Sequence, residues 1–233
     1  MGEEYAGGDS GSLVIATTHT QARYALPAVV KNFVERHPKV RLSMHQGSPP
    51  QIAEWTIKGE ADIAIATEAL DQFPQLIMLP CYQWGHSVVA PDGHPILAEK
   101  SITLAALARW PLITSDPVFT GRSRINKAFE RAQLTPNVVL AAIDADVIKT
   151  YVSLGLGLGI IASMAYDPAR DIGLKAVDVG HLFGSNTTRI GLRRGTYIRQ
   201  YEYDFIELFA SQLTKKAVDM AMAGTGSDDE YQL

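Results

Sequence analysis

The chain has 233 residues, 46% of them hydrophobic and 20% charged, with a net charge of -4 at pH 7. Such a composition is globular and long enough for one large or two small domains, and its acidic balance argues against a face that grips a nucleic-acid backbone. Its one cysteine, Cys81, excludes an intramolecular disulfide and accords with a reducing compartment. No apolar run approaches the roughly 20 residues of a membrane span, and the Met-Gly-Glu-Glu-Tyr start lacks the basic and apolar parts of an export signal.

Residues 1–11 are Gly-rich and acidic and read as a linker or a vector-derived remnant. A strand over 12–15 runs into Ala16-Thr17-Thr18-His19-Thr20-Gln21. A helix over 22–37 follows, with Leu26, Val29, Val30, Phe33 and Val34 on one side. Pro27 fits that helix if its main part starts there after a short leading turn. Next come a strand over 41–46, a helix over 51–58, Gly59 as its C-cap, and an apolar strand over 62–66 that ends at Thr67-Glu68. This alternation predicts a parallel sheet with helices packed on it. In such sheets the ligand crevice lies beyond the carboxyl ends of the strands, where Thr17, Thr18 and Thr67 fall.

After an apolar run over 76–82 and Gln83-Trp84, a second series begins. Strands over 87–90 and 111–114, a helix over 122–133, a strand over 138–142, a helix over 145–154 and a strand over 159–162 predict a second α/β lobe. A strand over 186–193 leads into a helix carrying Ile198, Tyr201, Phe205, Leu208, Phe209 and Leu213 at helical spacing. The last ten or so residues are small, polar and acidic, the composition of a mobile tail. No internal sequence repeat is visible.

Thr18, Thr20 and Gln21 are the leading site candidates. A hydroxyl-rich strand end that opens a helix supplies side-chain donors, unpaired N–H groups and the positive end of a helix dipole. That suits a small tetrahedral or carboxylate anion; the alternative is that a threonine merely caps its own helix. Thr120-Gly121-Arg122-Ser123 presents the same choice at the start of a later helix. Trp84 either walls a pocket or packs. Gly155-Leu-Gly-Leu-Gly159 follows a helix and precedes a strand, the wrong polarity for a phosphate loop, and reads as a helix end and tight connection. Asp144 is an N-cap or a partner for a ligand's amide. The six histidines show no metal-ligand spacing, Cys81 reads as a buried thiol, and no nucleophile elbow or general-base pair appears, so no enzyme is expected.

Several of these stretches together, Ile15-Ala-Thr-Thr-His-Thr-Gln-Ala-Arg-Tyr24, His45-Gln-Gly-Ser48, Phe119-Thr-Gly-Arg-Ser123, Asp144-Ala-Asp-Val-Ile-Lys-Thr-Tyr151 and residues 64–69 and 155–163, resemble a known family. It is the effector-binding domain of LysR-type transcriptional regulators, in the CysB and Cbl branch that governs sulfur assimilation, cysteine biosynthesis and organosulfur use. The resemblance runs in order from about residue 12 to 220. It implies an α/β, two-lobed fold like type 2 periplasmic binding proteins, with two Rossmann-like subdomains, 12–82 plus 186–222 and 83–185, joined by two crossover strands. It implies no cofactor and no metal. Thr18, Thr20, Gln21, Thr67 and Thr120, with Trp84 nearby, would hold a sulfate-like anion or an inducer's carboxylate in the inter-lobe cleft. N-acetylserine and O-acetylserine are the family's inducers, and sulfide and thiosulfate oppose them. The resemblance further implies a cytoplasmic protein that self-associates, as a dimer of this fragment and a tetramer at full length. Helices 22–37 and 198–213 are its candidate interfaces. Promoter DNA would be bound only through an N-terminal winged helix-turn-helix that this chain is expected to lack. Thr67 points to the CysB side of the branch, whereas His181-Leu-Phe183 and the acidic tail point to Cbl.

Overall fold

A computed structural model describes residues 10–224, apart from the side chains of Glu68, Ala69 and Thr120. The segments read above as a leading linker and a mobile tail lie, from residue 1 to 9 and from 225 onward, outside the described residues. The chain divides into two compact units, one of residues 1–83 with 187–233 and one of residues 84–186.

The first unit is built on β1 (Gly11–Thr17), β2 (Val40–Gln46), β3 (Ile63–Ala66), β4 (Leu76–Trp84) and β10 (Asn186–Arg193), ordered β2-β1-β3-β10-β4. The second has β5 (His86–Pro91), β6 (Pro111–Ser115), β7 (Asn137–Ala142), β8 (Leu158–Ala162) and β9 (Leu174–Asp178), ordered β7-β6-β8-β5-β9. β1 runs parallel to β2 and β3, and β10 runs antiparallel to β3; likewise β6 runs parallel to β7 and β8, and β5 antiparallel to β8. One plan is therefore used twice without a shared sequence signature. The chain passes between units within β4 and at the start of β10.

Side-chain alternation sets the layers of the first sheet. Leu13 and Ile15 of β1 and Ile63 and Ile65 of β3 face α1 (Leu26–Arg36) and α7 (Gln200–Phe209), in a core with Phe33, Tyr201, Phe205 and Ile206. The opposite face carries the smaller Ala16, Ala64 and Ala66, against which α2 (Pro49–Lys58) lays Ile52 and Ala53. In the second unit, Val88 and Ala90 of β5 and Leu158 and Ile160 of β8 share a core with Ile125 and Phe129 of α4 (Thr120–Arg131). On the other face Gly159 lies against Ile148 and Val152 of α5 (Ala145–Ser153).

The connection read as a helix end joins α5 to β8. A Cβ on Gly157 would sit 2.5 Å from the Pro111 carbonyl oxygen, so that glycine answers to close backbone packing rather than to a phosphate. Asp144 is the N-cap of α5, its carboxylate accepting from the Val147 N–H at 2.8 Å.

Several elements differ from the sequence reading, which lacks the short helices α3 (Leu104–Leu107) and α6 (Gly180–Phe183). The first helix is continuous from His19 to Arg36 instead of starting at 22, and its Gln21–Ala25 segment is wound as a π-turn in which the Leu26 N–H reaches the Gln21 carbonyl. Pro27 explains the widening: its ring has no N–H to donate and would crowd the carbonyl four residues back in a regular helix. The helix expected through Leu213 ends at Phe209, and a separate α8 (Lys215–Met222) follows, capped by the Thr214 hydroxyl. β9 escaped notice because it is a short edge strand with little alternation.

Candidate ligand-binding site

In the first unit, β1 and β3 are adjacent and parallel, with Thr17 in register with Ile65. Thr18 and Thr67, the residues just past the two strands, therefore leave at neighbouring carboxyl ends. The chain reaches β2 on one side of β1 and β3 on the other, so this is the sheet's topological switch point.

The hydroxyls of this run differ in use. Thr17 is fully buried, and its hydroxyl donates to the Ile65 carbonyl at 3.0 Å, tying β1 to β3. Thr18 is buried, and its carbonyl accepts from the Ala22 N–H at 3.0 Å, so its backbone opens the helix while its side chain makes no cap. Thr20 is half-buried and likewise makes no side-chain cap bond. Thr67 is buried at the end of β3, its carbonyl accepting from the Leu70 N–H at 3.2 Å.

Gln21 is almost wholly enclosed, and its amide is held at both ends. Its nitrogen donates to the Thr188 hydroxyl at 3.0 Å, and its oxygen accepts from the Tyr82 hydroxyl. The π-turn begins at this residue. β4 and β10 therefore fix the first turn of the helix through Tyr82 and Thr188. Burial pushes the Tyr82 phenol up to about 12, which keeps it a donor at all ordinary pH values.

In the second unit, Thr120 is the first residue of α4; its side chain lies outside the described residues. Trp84 closes β4 and is half-buried, with its indole Nε1 enclosed and unpartnered. Gly121 lets two rings approach the first turn of α4: a Cβ there would lie 3.0 Å from His86 Nε2 and 3.4 Å from the Trp84 ring. His86 is itself buried, and burial together with the Arg124 cation lowers its pKa to about 4, against an opposing pull from Asp178. It is a neutral imidazole at pH 7.

Sequence reasoning missed Tyr82, Thr188 and His86. The first two act on Gln21 across separations of 61 and 167 residues, which no local pattern reveals. His86, between Gly85 and Ser87, opens a strand with no motif to mark it. Chemically, the described side chains offer hydroxyl, amide and indole donors. Cys81 is a poor nucleophile, since burial pushes its thiol up to about 12.

The model of the LysR substrate binding domain matches residues 6–214. The chain belongs to that family. Among its relatives, the HTH-type transcriptional regulator SsuR of Burkholderia cenocepacia is 54% identical over 218 residues, covering 94% of this chain and 71% of the relative. The HTH-type transcriptional regulator CysB of the same organism is 53% identical over 233 residues, or 100% of this chain and 74% of the relative. The crystal structure of the cofactor-binding domain of the Cbl transcriptional regulator superposes with a TM-score of 0.88 at 45% identity, covering 95% of this chain and 97% of that one. This LysR-type domain thus has the α/β, periplasmic-binding-protein-like architecture of effector-binding domains, and its relatives are regulators of transcription. No helix among the described residues is long and apolar enough to cross a membrane.

Proposed function

We propose that this LysR-type domain binds a small anionic effector and, without transforming it, controls DNA binding by a winged helix-turn-helix elsewhere in the regulator. The effector's proposed contacts in the first unit are Thr18, Thr20, Gln21 and Thr67; Trp84 and Thr120 are the candidates in the second. The observation that carries this reading is the placement of Thr18 and Thr67 just past two adjacent parallel strands, at the switch point of the first sheet. The 53% identity to CysB supports sulfur assimilation and cysteine biosynthesis as the regulated process, with N-acetylserine or O-acetylserine as inducer and sulfate or thiosulfate as competing anions. Cytoplasmic location follows from that role.

Neutral donors suit this task. Hydrogen bonds to a charged group contribute about 1.5–3 kcal/mol each before dehydration of the anion is counted, so a handful leaves affinity of micromolar to millimolar order, about -8 to -4 kcal/mol. Such a ligand regulates only by binding one arrangement of the regulator better than another. Self-association, as a dimer of this fragment and a tetramer at full length, is the natural carrier of that difference. α1 leaves Val34 exposed for it, whereas the apolar face of α7 is consumed by the core of its own unit.

A Cbl-type role in organosulfur use is the second reading, favoured by the close match to the Cbl domain. Titration calorimetry with sulfate, thiosulfate, N-acetylserine and O-acetylserine tests both. Saturable binding of an acetylserine and of sulfate supports the CysB-type role, and sulfate binding with no acetylserine response supports the Cbl-type role. Binding of none of the four overturns the anion reading.

A further inference from the structure

The second unit holds a buried polar group that the six residues above do not include. His86 is 3% exposed at the start of β5, and its Nδ1 is enclosed without a hydrogen-bond partner. The ring packs against Trp84 at 5.4 Å between centroids and, edge-on, against Phe183 at 5.5 Å. Its Nε2 is turned to the first turn of α4, where only the missing side chain of Gly121 makes room for it. α4 is a twelve-residue helix, so its amino end carries unpaired N–H groups and a positive dipole end. Two aromatic rings and a helix terminus thus meet around one neutral imidazole with an unpartnered Nδ1.

The charged groups near this ring are Arg124 of α4, which opposes a proton on it, and Asp178 at the end of β9, which favours one. Trp84 of β4, Gly121 of α4 and Phe183 add no charge. The amino end of α4 also disfavours a cation when nothing is bound there. An oxyanion docked at that end reverses the balance, because it cancels the dipole and adds negative charge beside the imidazole.

We propose that His86 reads the charge of the effector: docking of an oxyanion at the amino end of α4 draws a proton from solvent onto His86, and the imidazolium then fixes the anion where Trp84 and the first turn of α4 meet. His86 is thus a positioning residue, and the domain prefers fully ionised oxyanions to neutral ligands of the same shape. This inference rests on the anion reading of the preceding subsection. A merely packed histidine would fill the same space but would not couple binding to a proton.

Sodium sulfate is the probe, because sulfate stays a dianion throughout the useful pH range. Calorimetry at about pH 5.5 and about pH 8, in two buffers of different ionisation heat, is expected to show proton uptake and about tenfold tighter binding at the lower pH, the change that goes with a rise of the His86 pKa from about 4 to about 6.5 on binding. His86→Gln, which keeps a polar side chain but does not titrate, is expected to abolish the difference between the two pH values. His19 lies beside Thr18, so the slope is assigned by a second measurement on the unaltered protein: NMR titration of the His86 imidazole, expected to protonate at higher pH with sulfate than without it. Sulfate binding with no shift of the His86 titration overturns this inference and leaves the anion reading intact. Absence of sulfate binding at either pH overturns both.

Discussion

Thr17 and Thr18 are adjacent, alike in chemistry and both buried, yet the structure gives them different work. Replacing each in turn by valine keeps the β-branched shape and removes only the hydroxyl. At Thr17 the lost bond is the 3.0 Å donation to the Ile65 carbonyl in a dry sheet. A buried hydrogen bond contributes about 1 kcal/mol net, partly offset by the added methyl, and in a domain of this size about 1 kcal/mol moves Tm by about 2–4 °C. Thr17→Val should therefore melt a few degrees lower and bind sulfate as before. At Thr18 no fold-holding bond is lost, so Thr18→Val should stay within about 0.5 kcal/mol of the parent in stability. Its loss of one charge-assisted bond, about 1.5–3 kcal/mol, should weaken sulfate binding tenfold or more. Urea unfolding and titration calorimetry on the same two proteins measure both quantities. Equal destabilisation by the two changes, or loss of binding in Thr17→Val alone, would refute the assignment of Thr18 to the ligand and Thr17 to the sheet.

Other perturbations have equally definite outcomes. Lys149 is buried in α5 and meets Asp171 at 2.8 Å, Asp146 at 3.3 Å and the Ala165 carbonyl at 2.8 Å. Lys149→Met strands the poorly exposed Asp171 and should cost about 3–5 kcal/mol in urea unfolding, of which the double change with Asp171→Asn should restore a large part. His86 has a folded pKa near 4 against an ordinary 6.5, so the unfolded chain takes its proton first as pH falls. Its contribution is complete above about pH 6.5 and declines toward about pH 4 by up to about 3 kcal/mol, and His86→Gln should flatten that part of the stability curve. Cys81, with its thiol pushed up to about 12, should resist a thiol reagent at pH 8 in the folded protein and react fully once unfolded; quick labelling of the native state would contradict its burial.

The α/β fold was legible because its strands are short apolar runs ended by polar punctuation and its helices carry one apolar face. The run 62–66 could be little other than a buried strand, and Asp144 announced the helix it caps. Boundaries failed where tertiary contacts overrule local preference. Pro27 reads as a helix start, yet the helix begins eight residues earlier because β4 and β10 grip Gln21 and a π-turn absorbs the proline. Similarly, the apolar periodicity through Leu213 continues across a real break, since Ala210 and Leu213 are buried in the same core as α7 without being helical. Among the site residues, Thr18 and Thr67 were readable from their position after strands. Tyr82, Thr188 and His86 were not, because each matters through a partner distant in sequence or through a glycine that leaves room for its ring.

Selenate is a close analogue of sulfate whose heavy atom can be located directly by anomalous diffraction from a soaked crystal. If Thr18 and Thr67 hold the effector, a selenium peak should appear with its oxygens about 3 Å from both hydroxyls, and Thr18→Val crystals soaked identically should lose it. A peak bound elsewhere, or one at that place undiminished by the substitution, would contradict the proposal that these threonines hold the effector.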